Sequence, residues 1–378
     1  MGSWTRRNML LGTVGGLGLA TAGGLGLATS RFVQAQVDAA RDGSAARGMI
    51  NDAAREDIRR GLNYLVRQQH QDGSFGAGRH RGNVAITSLA GLALMANGSQ
   101  PGRGPYGREV ADALQYVIGQ ERQRHQNRAA PGFLYNPTRI QHGPMYGHGF
   151  GTLFLAEAYG MVPDRNLASR LRATLGRATQ LIINSQNRDG GWRYRPFPSD
   201  ADISVTICQI MALRAARNAG FYVPRNVVDN CINYVKDCQS RDGGFRYQKR
   251  RGTQTGFART AAGLVALYSA GLYEDETITR ALNFLHDHCR PTIRNRPRHL
   301  NMDINLHFYY GHYYAAQAMW IAGGHWWRTW FPEIRDDLHR RRRDDGSWYD
   351  GRIDPHYCTA MALIVLQVPN NYLPIFQR

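Results

Sequence analysis

The 378-residue chain carries 43% hydrophobic residues and a net charge of +18, held almost wholly by arginine, since Lys236 and Lys249 are its only lysines. That length and apolar content suffice for a real core and exclude a disordered chain or a small disulfide-stapled domain. No nucleic-acid motif accompanies the basic charge, which leaves anionic lipid, acidic ligands or simple genome composition as its reading.

In chain order, the first 35 residues read as an export signal of the twin-arginine type. Thr5-Arg6-Arg7-Asn8-Met9-Leu10 places twin arginines before a Gly/Ala-rich apolar run over 9–28, and Val33-Gln34-Ala35 offers small residues for cleavage. The alternative is an uncleaved anchor, which the many glycines disfavour. The exported location implied is periplasm or cell envelope. Residues 36–51 read as a mobile lead-in, and 52–378 as one domain.

That domain reads as six helix pairs. The amphipathic members span about 52–69, 108–124, 165–186, 225–239, 275–289 and 333–343, with apolar residues recurring every three or four positions. The partners, about 84–97, 147–160, 202–219, 256–271, 308–322 and 355–367, are apolar on most sides, as helices enclosed by other helices are. Six enclosed and six outer helices predict an all-α (α/α)6 toroid. The five cysteines, Cys208, Cys231, Cys238, Cys289 and Cys358, fall on these helices and read as buried thiols rather than a disulfide framework.

One phrase punctuates the pairs: Gln69-His70-Gln71-Asp72-Gly73-Ser74-Phe75, Gln186-Asn187-Arg188-Asp189-Gly190-Gly191-Trp192, Gln239-Ser240-Arg241-Asp242-Gly243-Gly244-Phe245 and Arg343-Asp344-Asp345-Gly346-Ser347-Trp348. Its glycine ends a helix in a left-handed conformation, its Asp bonds turn amides, and its aromatic residue fills the gap between pairs. The spacing predicts two worn copies, one at Pro131-Gly132-Phe133 and one in the Arg/Pro-rich stretch 290–298.

The phrase resembles the repeat of squalene and oxidosqualene cyclases and of protein prenyltransferase β subunits, across nearly the whole mature chain. The resemblance implies two chemistries. Class II cyclases protonate an alkene with Asp-x-Asp-Asp-Thr on an inner helix. The matching segment here, Asp202-Ile203-Ser204-Val205-Thr206, keeps the first Asp and the Thr but loses two acids. Prenyltransferases hold zinc on Asp-x-Cys and a later His. Here Tyr310 and His312 stand at the first two places and His356 near the third. A zinc on His312 and His356 would need a third ligand, for which Asp354 or His307 is available. The chain is short of the cyclases' second helical domain.

Polar groups recur at the starts of the inner helices: His148, Asp202, Arg259, Tyr310, His312, His356 and Tyr357. In a toroid these would converge on one end of a central cavity. The enzyme reading takes Asp202 as acid, assisted by His148 or His312, with Arg259, Tyr310, His356 and Tyr357 lining a cavity for an apolar, isoprenoid-like molecule. With a cation such as Arg259 beside it, Asp202 would be ionised and structural. The rival reading is a non-enzymatic envelope protein that presents the toroid surface. Arg340 to Arg343 reads as a solvated face or an anionic membrane contact, and Trp326-Trp327-Arg328-Thr329-Trp330 as a loop packed between the last two repeats. Oligomeric state is not readable from the sequence.

Overall fold

The structure, a computed structural model, describes residues 44–122, 131–137, 143–249, 254–293 and 304–377. Twelve α-helices are present among them: α1 Asp52–Gln68, α2 Val84–Met95, α3 Gly107–Gly119, α4 Pro144–Ala158, α5 Arg165–Asn184, α6 Ile203–Asn218, α7 Arg225–Asp237, α8 Phe257–Ser269, α9 Glu276–His288, α10 Phe308–Ala322, α11 Gly324–Arg341 and α12 Pro355–Gln367. Short polar side chains start many of them, as Asn51, Asn83, Asp164, Asp202, Asp275 and Asp354 each accept a first-turn amide.

Burial sorts the helices into two rings. Every residue of α2 but Ala85 is buried, whereas α7 buries only Val227, Val228, Cys231, Tyr234 and Val235. The even-numbered helices form a closed inner ring, α2–α4–α6–α8–α10–α12 and back to α2, and the odd-numbered helices surround it. Their starts share one end of the ring: the Met145 amide donates to Tyr194 O (3.1 Å), Ile203 N to Tyr247 O (3.0 Å), and Tyr310 Oη to Ser204 O (2.9 Å). Their ends share the other, where Gln367 Nε2 reaches Ala93 O (3.0 Å). The chain's last segment seals that end: Ile375 and Phe376 are buried, Ile375 N donates to Glu157 Oε2 (3.3 Å), and Arg214 donates to Gln377 O.

The repeated phrase is the joint between pairs. Gly73, Gly132, Gly190, Gly243 and Gly346 all have φ between 81° and 92°. A Cβ on any of them would meet the backbone carbonyl of Asp112, Arg177, Asn230, Arg280 or Arg60, on the next outer helix in each case. Left-handed backbone and close approach thus both demand glycine. The phrase Gln ties turn to helix: Gln186 Nε2 donates to Gly190 O (2.9 Å) and Val227 O (2.8 Å), and Gln69 and Gln239 repeat this with Glu109 O and Thr277 O. Trp192 and Trp348 are fully buried, and their ring N–H groups satisfy Ile182 O and Leu338 O in the last turns of α5 and α11 (2.8 Å each). Asp72, Asp242 and Asp345 each accept a turn amide. In the third copy Asn187 takes that task and Asp189 is exposed.

The expected worn copy at Gly132 adopts the same joint. Of the second, only residues 290–293 are described, where Arg290 pairs with Glu333 on α11 (3.3 Å); 294–298 lie outside the described residues. All five cysteines are buried thiols.

Three expectations differ from the structure. The last outer helix begins at Gly324, not 333, so Trp326, Trp327 and Trp330 lie on α11 rather than in a loop. Pro332 sits within that helix and forfeits one backbone bond, while buried Trp327 stacks on Phe331 (4.5 Å) and meets Trp320 edge-on (4.9 Å). Part of the lead-in is docked: Trp327 Nε1 donates to Ala45 O and Arg335 Nη1 to Met49 O, both at 3.0 Å. The arginine run is not a simple solvated face. Arg341 lies over the Phe308 ring (4.0 Å), and Arg342 Nε donates to buried Asp57 Oδ1 (2.6 Å), closing α11 onto α1. Residues 1–43, where the export signal is expected, lie outside the described residues, and no helix among those described is long and apolar enough to cross a membrane.

Candidate functional site

The inner-helix starts are the place where chemistry would be built, and their backbone bonds come first. In four repeats the amide of the phrase aromatic donates to a threonine hydroxyl near the start of the next inner helix: Phe75 to Thr87 (3.0 Å), Trp192 to Thr206 (3.1 Å), Phe245 to Thr260 (2.9 Å) and Trp348 to Thr359 (3.0 Å). Thr206, aligned with the cyclase threonine, therefore holds a structural bond. The threonine recurs in the sequence at these four inner-helix starts, a repeated signal whose partner only the fold reveals.

In the second repeat His148 occupies this place. Its Nδ1 accepts the Leu134 amide (3.2 Å) and its Nε2 donates to Ala178 O (3.2 Å). Both ring nitrogens are engaged with backbone, which fixes the neutral tautomer. Complete burial pushes the ring pKa down to about 3, against the opposing pull of the Ala178 carbonyl.

Asp202 is fully buried at the start of α6. One oxygen caps the helix at Val205 N (2.9 Å) and the other meets Arg193 Nη1 (2.9 Å). Burial pushes its carboxyl upward, while the Val205 amide and Arg193 pull it down, and the net direction is up. The cation beside it is Arg193 rather than Arg259. Arg193 also donates to Tyr247 Oη (2.9 Å) and lies over the Tyr194 ring (4.4 Å), and the Tyr194 and Tyr247 hydroxyls share a 2.6 Å bond. Both carboxyl oxygens are thus engaged, one by the helix start and one by a cation.

The remaining residues divide between separate surroundings. His312 is enclosed by Phe308 (4.4 Å), Phe257 (4.7 Å) and Trp330 (5.8 Å). His356 accepts the Gly76 amide at Nδ1 (2.9 Å) and packs edge-on to Tyr64 (5.9 Å); burial lowers its pKa and Asp354 opposes that. Asp354 Oδ2 accepts the Ala77 amide (2.7 Å). Among the described residues no group of three His, Cys, Asp or Glu side chains could hold a metal ion. Arg259 is half-buried, which lowers its pKa, and Tyr247 opposes the shift. His307 caps α10 in a left-handed conformation (φ 59°).

Tyr310 and Tyr357 face the axis, and with them the axis closes. Tyr310 meets Tyr314 edge-on (4.8 Å), Tyr314 meets Tyr313 (4.8 Å), Tyr313 meets Phe150 (6.1 Å), and Tyr314 Oη contacts Cys208 Sγ (3.4 Å). Phe150, Cys208, Tyr313 and Tyr314 keep at most 3% of their surface. Burial raises the tyrosine hydroxyls Tyr310, Tyr314 and Tyr357 well above their ordinary range. A cleft of about 270 Å³ lies elsewhere, between Ile50, Arg55, Ile58, Leu62, Asn97 and Tyr106, away from every residue singled out in the sequence.

No curated protein matches the chain. Among solved structures, the type II terpene cyclase MstE from Scytonema is similar at 14% identity over 85% of this chain and 99% of that one, with a TM-score of 0.55. Its variant in complex with geranylgeranyl dihydroxybenzoate as substrate gives a TM-score of 0.54 at 14% identity over 85% and 99%. An α-1,6-mannanase, GH76A of Salegentibacter sp., gives 0.57 at 9% identity, over 84% and 99%. Identities this low establish a shared fold and leave chemistry open. The family described as the prenyltransferase alpha-alpha toroid domain matches residues 44–291, about two thirds of the chain, and the chain belongs to that family.

Proposed function

We infer that this is an exported, non-enzymatic envelope protein that works through the surface of its toroid. The observation carrying this reading is the occupied axis: Phe150, Tyr313, Tyr314 and Cys208 stand where a ligand chamber would be. The acid position adds to it, because Asp202 is bonded to Arg193 and the helix start. The twin-arginine segment supports the location, and replacing Arg6 and Arg7 by lysine should stop export of a reporter fused after residue 35.

A second reading keeps an isoprenoid-like ligand in the ring. It draws on a neighbour of the same fold that was caught with geranylgeranyl dihydroxybenzoate. Here it requires the tyrosine cluster to move aside. Mass spectrometry of an organic extract of the purified protein separates the two. An empty extract is expected; an isoprenoid in stoichiometric amount would reinstate the ligand reading. Zinc analysis of protein purified without chelator tests the metal in the same sample, and metal near zero is expected.

A further inference from the structure

We propose that the end of the ring where the inner helices begin is a docking face for an anionic lipid bilayer. The proposal deepens the surface reading above, rests on it, and names its partner.

Four of the six exposed large apolar side chains among the described residues lie in loops at this end: Phe197 (61%), Leu306 (44%), Tyr349 (39%) and Ile353 (37%). Phe197 is the most unusual. It sits between Pro196 and Pro198 with φ at 57°, a conformation that costs a bulky residue on the order of 1 kcal/mol. Two prolines stiffen the loop and the ring is held out in solvent, so the strain serves no internal packing.

Both charges occur beside these side chains, Asp200 (held by Arg193 at 3.4 Å) and Asp350 among them, but the unpaired charges named next are basic. Arg79, Arg81, Arg195 and Arg352 are exposed in the same set of loops, with half-buried Arg259 at the start of α8, and none forms an ion pair among the described residues. The opposite end carries both signs: Arg103, Arg214 and Arg217 stand there with Asp164, Glu274 and Asp275, and Asp275 is bonded to Lys236 (2.6 Å).

Exposed apolar side chains set among arginines match the chemistry of a bilayer interface. Such side chains enter the headgroup boundary while the cations meet lipid phosphates, each worth about 1 kcal/mol near an anionic surface. A soluble polyanion would engage the arginines and leave Phe197, Leu306 and Ile353 in water, so lipid is the better match.

The test uses the full chain and a local reporter, because residues 9–28 are themselves apolar. Phe197→Trp and, at the far end, Tyr222→Trp are compared in vesicles of brominated phosphatidylcholine with and without phosphatidylglycerol. Tyr222 is 82% exposed, so both substitutions keep the reporter on the surface. With phosphatidylglycerol the added fluorescence of Phe197→Trp should fall about twofold while that of Tyr222→Trp holds. Arg195→Ala with Arg352→Ala should weaken vesicle binding roughly tenfold or more. Equal quenching at both positions, bound protein with Phe197→Trp unquenched, or indifference to phosphatidylglycerol would each overturn the proposal. None of these outcomes bears on the extract measurement, so failure of this face and failure of the surface reading remain distinct.

Discussion

His148 accepts the Leu134 amide at 3.2 Å in the place where Thr206 accepts that of Trp192 at 3.1 Å. The second repeat has thus replaced a hydroxyl by an imidazole that also holds Ala178 on α5. With its pKa pushed down to about 3, the folded ring stays neutral where the unfolded ring takes up a proton. Its contribution is complete above about pH 6.5 and lost as pH falls toward the folded value, at about 1.4 kcal/mol per pH unit. His148→Thr should cost about 1–3 kcal/mol at neutral pH through lost packing and the lost Ala178 bond, yet flatten the acid slope. Urea midpoints at neutral and mildly acidic pH check both; parallel acid losses in the two proteins would refute the assignment.

Arg193→Ala leaves the Asp202 carboxylate buried without its cation. A loss of about 2–4 kcal/mol is expected, somewhat below that for a fully enclosed pair because Arg193 is partly exposed. Asp202→Asn keeps the helix cap and should cost less, and the double variant should recover part of the Arg193→Ala loss. A double-mutant cycle by chemical denaturation measures the coupling.

Gly190 and Gly220 share a left-handed backbone, with φ at 92° and 91°, but a Cβ meets Asn230 O at the first and nothing within 4 Å at the second. Gly220→Ala should cost about 1–2 kcal/mol, the price of the conformation alone. Gly190→Ala should lose roughly a further 1–3 kcal/mol from the steric contact. Equal melting temperatures for the two variants would show that the joint yields.

Asp57 binds His339 Nδ1 (2.8 Å) and Arg342 Nε (2.6 Å) across the closure of the ring. Asp57→Ala should loosen α1 and α11 together. Hydrogen exchange should rise in both while α5 to α7 keep their protection. A uniform rise would mean that the ring opens only as a whole.

The fold was legible because its signal repeats. Six copies of one helical period and four clear copies of one turn specify the rings and even the worn joint at Gly132. The start of α11 was not, since a proline and three tryptophans look like a loop until Trp327 is seen buried on Phe331. At the inner-helix starts, residue types were readable and partners were not. Asp202 reads from the sequence either as ionised with Arg259 beside it or as a raised-pKa acid without a cation; the cation present, Arg193, lies in the turn before it, whereas Arg259 is one repeat away. Whether a ring is hollow depends on how side chains from Phe150, Cys208 and Tyr314, far apart in sequence, meet on the axis, and no local pattern encodes that.

The closure between Asp57 and Arg342 spans 285 positions. During synthesis, each new repeat can settle on the one before it, but the first repeat waits for the last with its apolar flank uncovered. A nascent chain is therefore an open crescent with two adhesive edges until residues near 342 emerge, and Ile375 adds its seal later still. Completion of the ring is therefore a late, long-range step, of the kind whose loop-closure entropy slows folding in general.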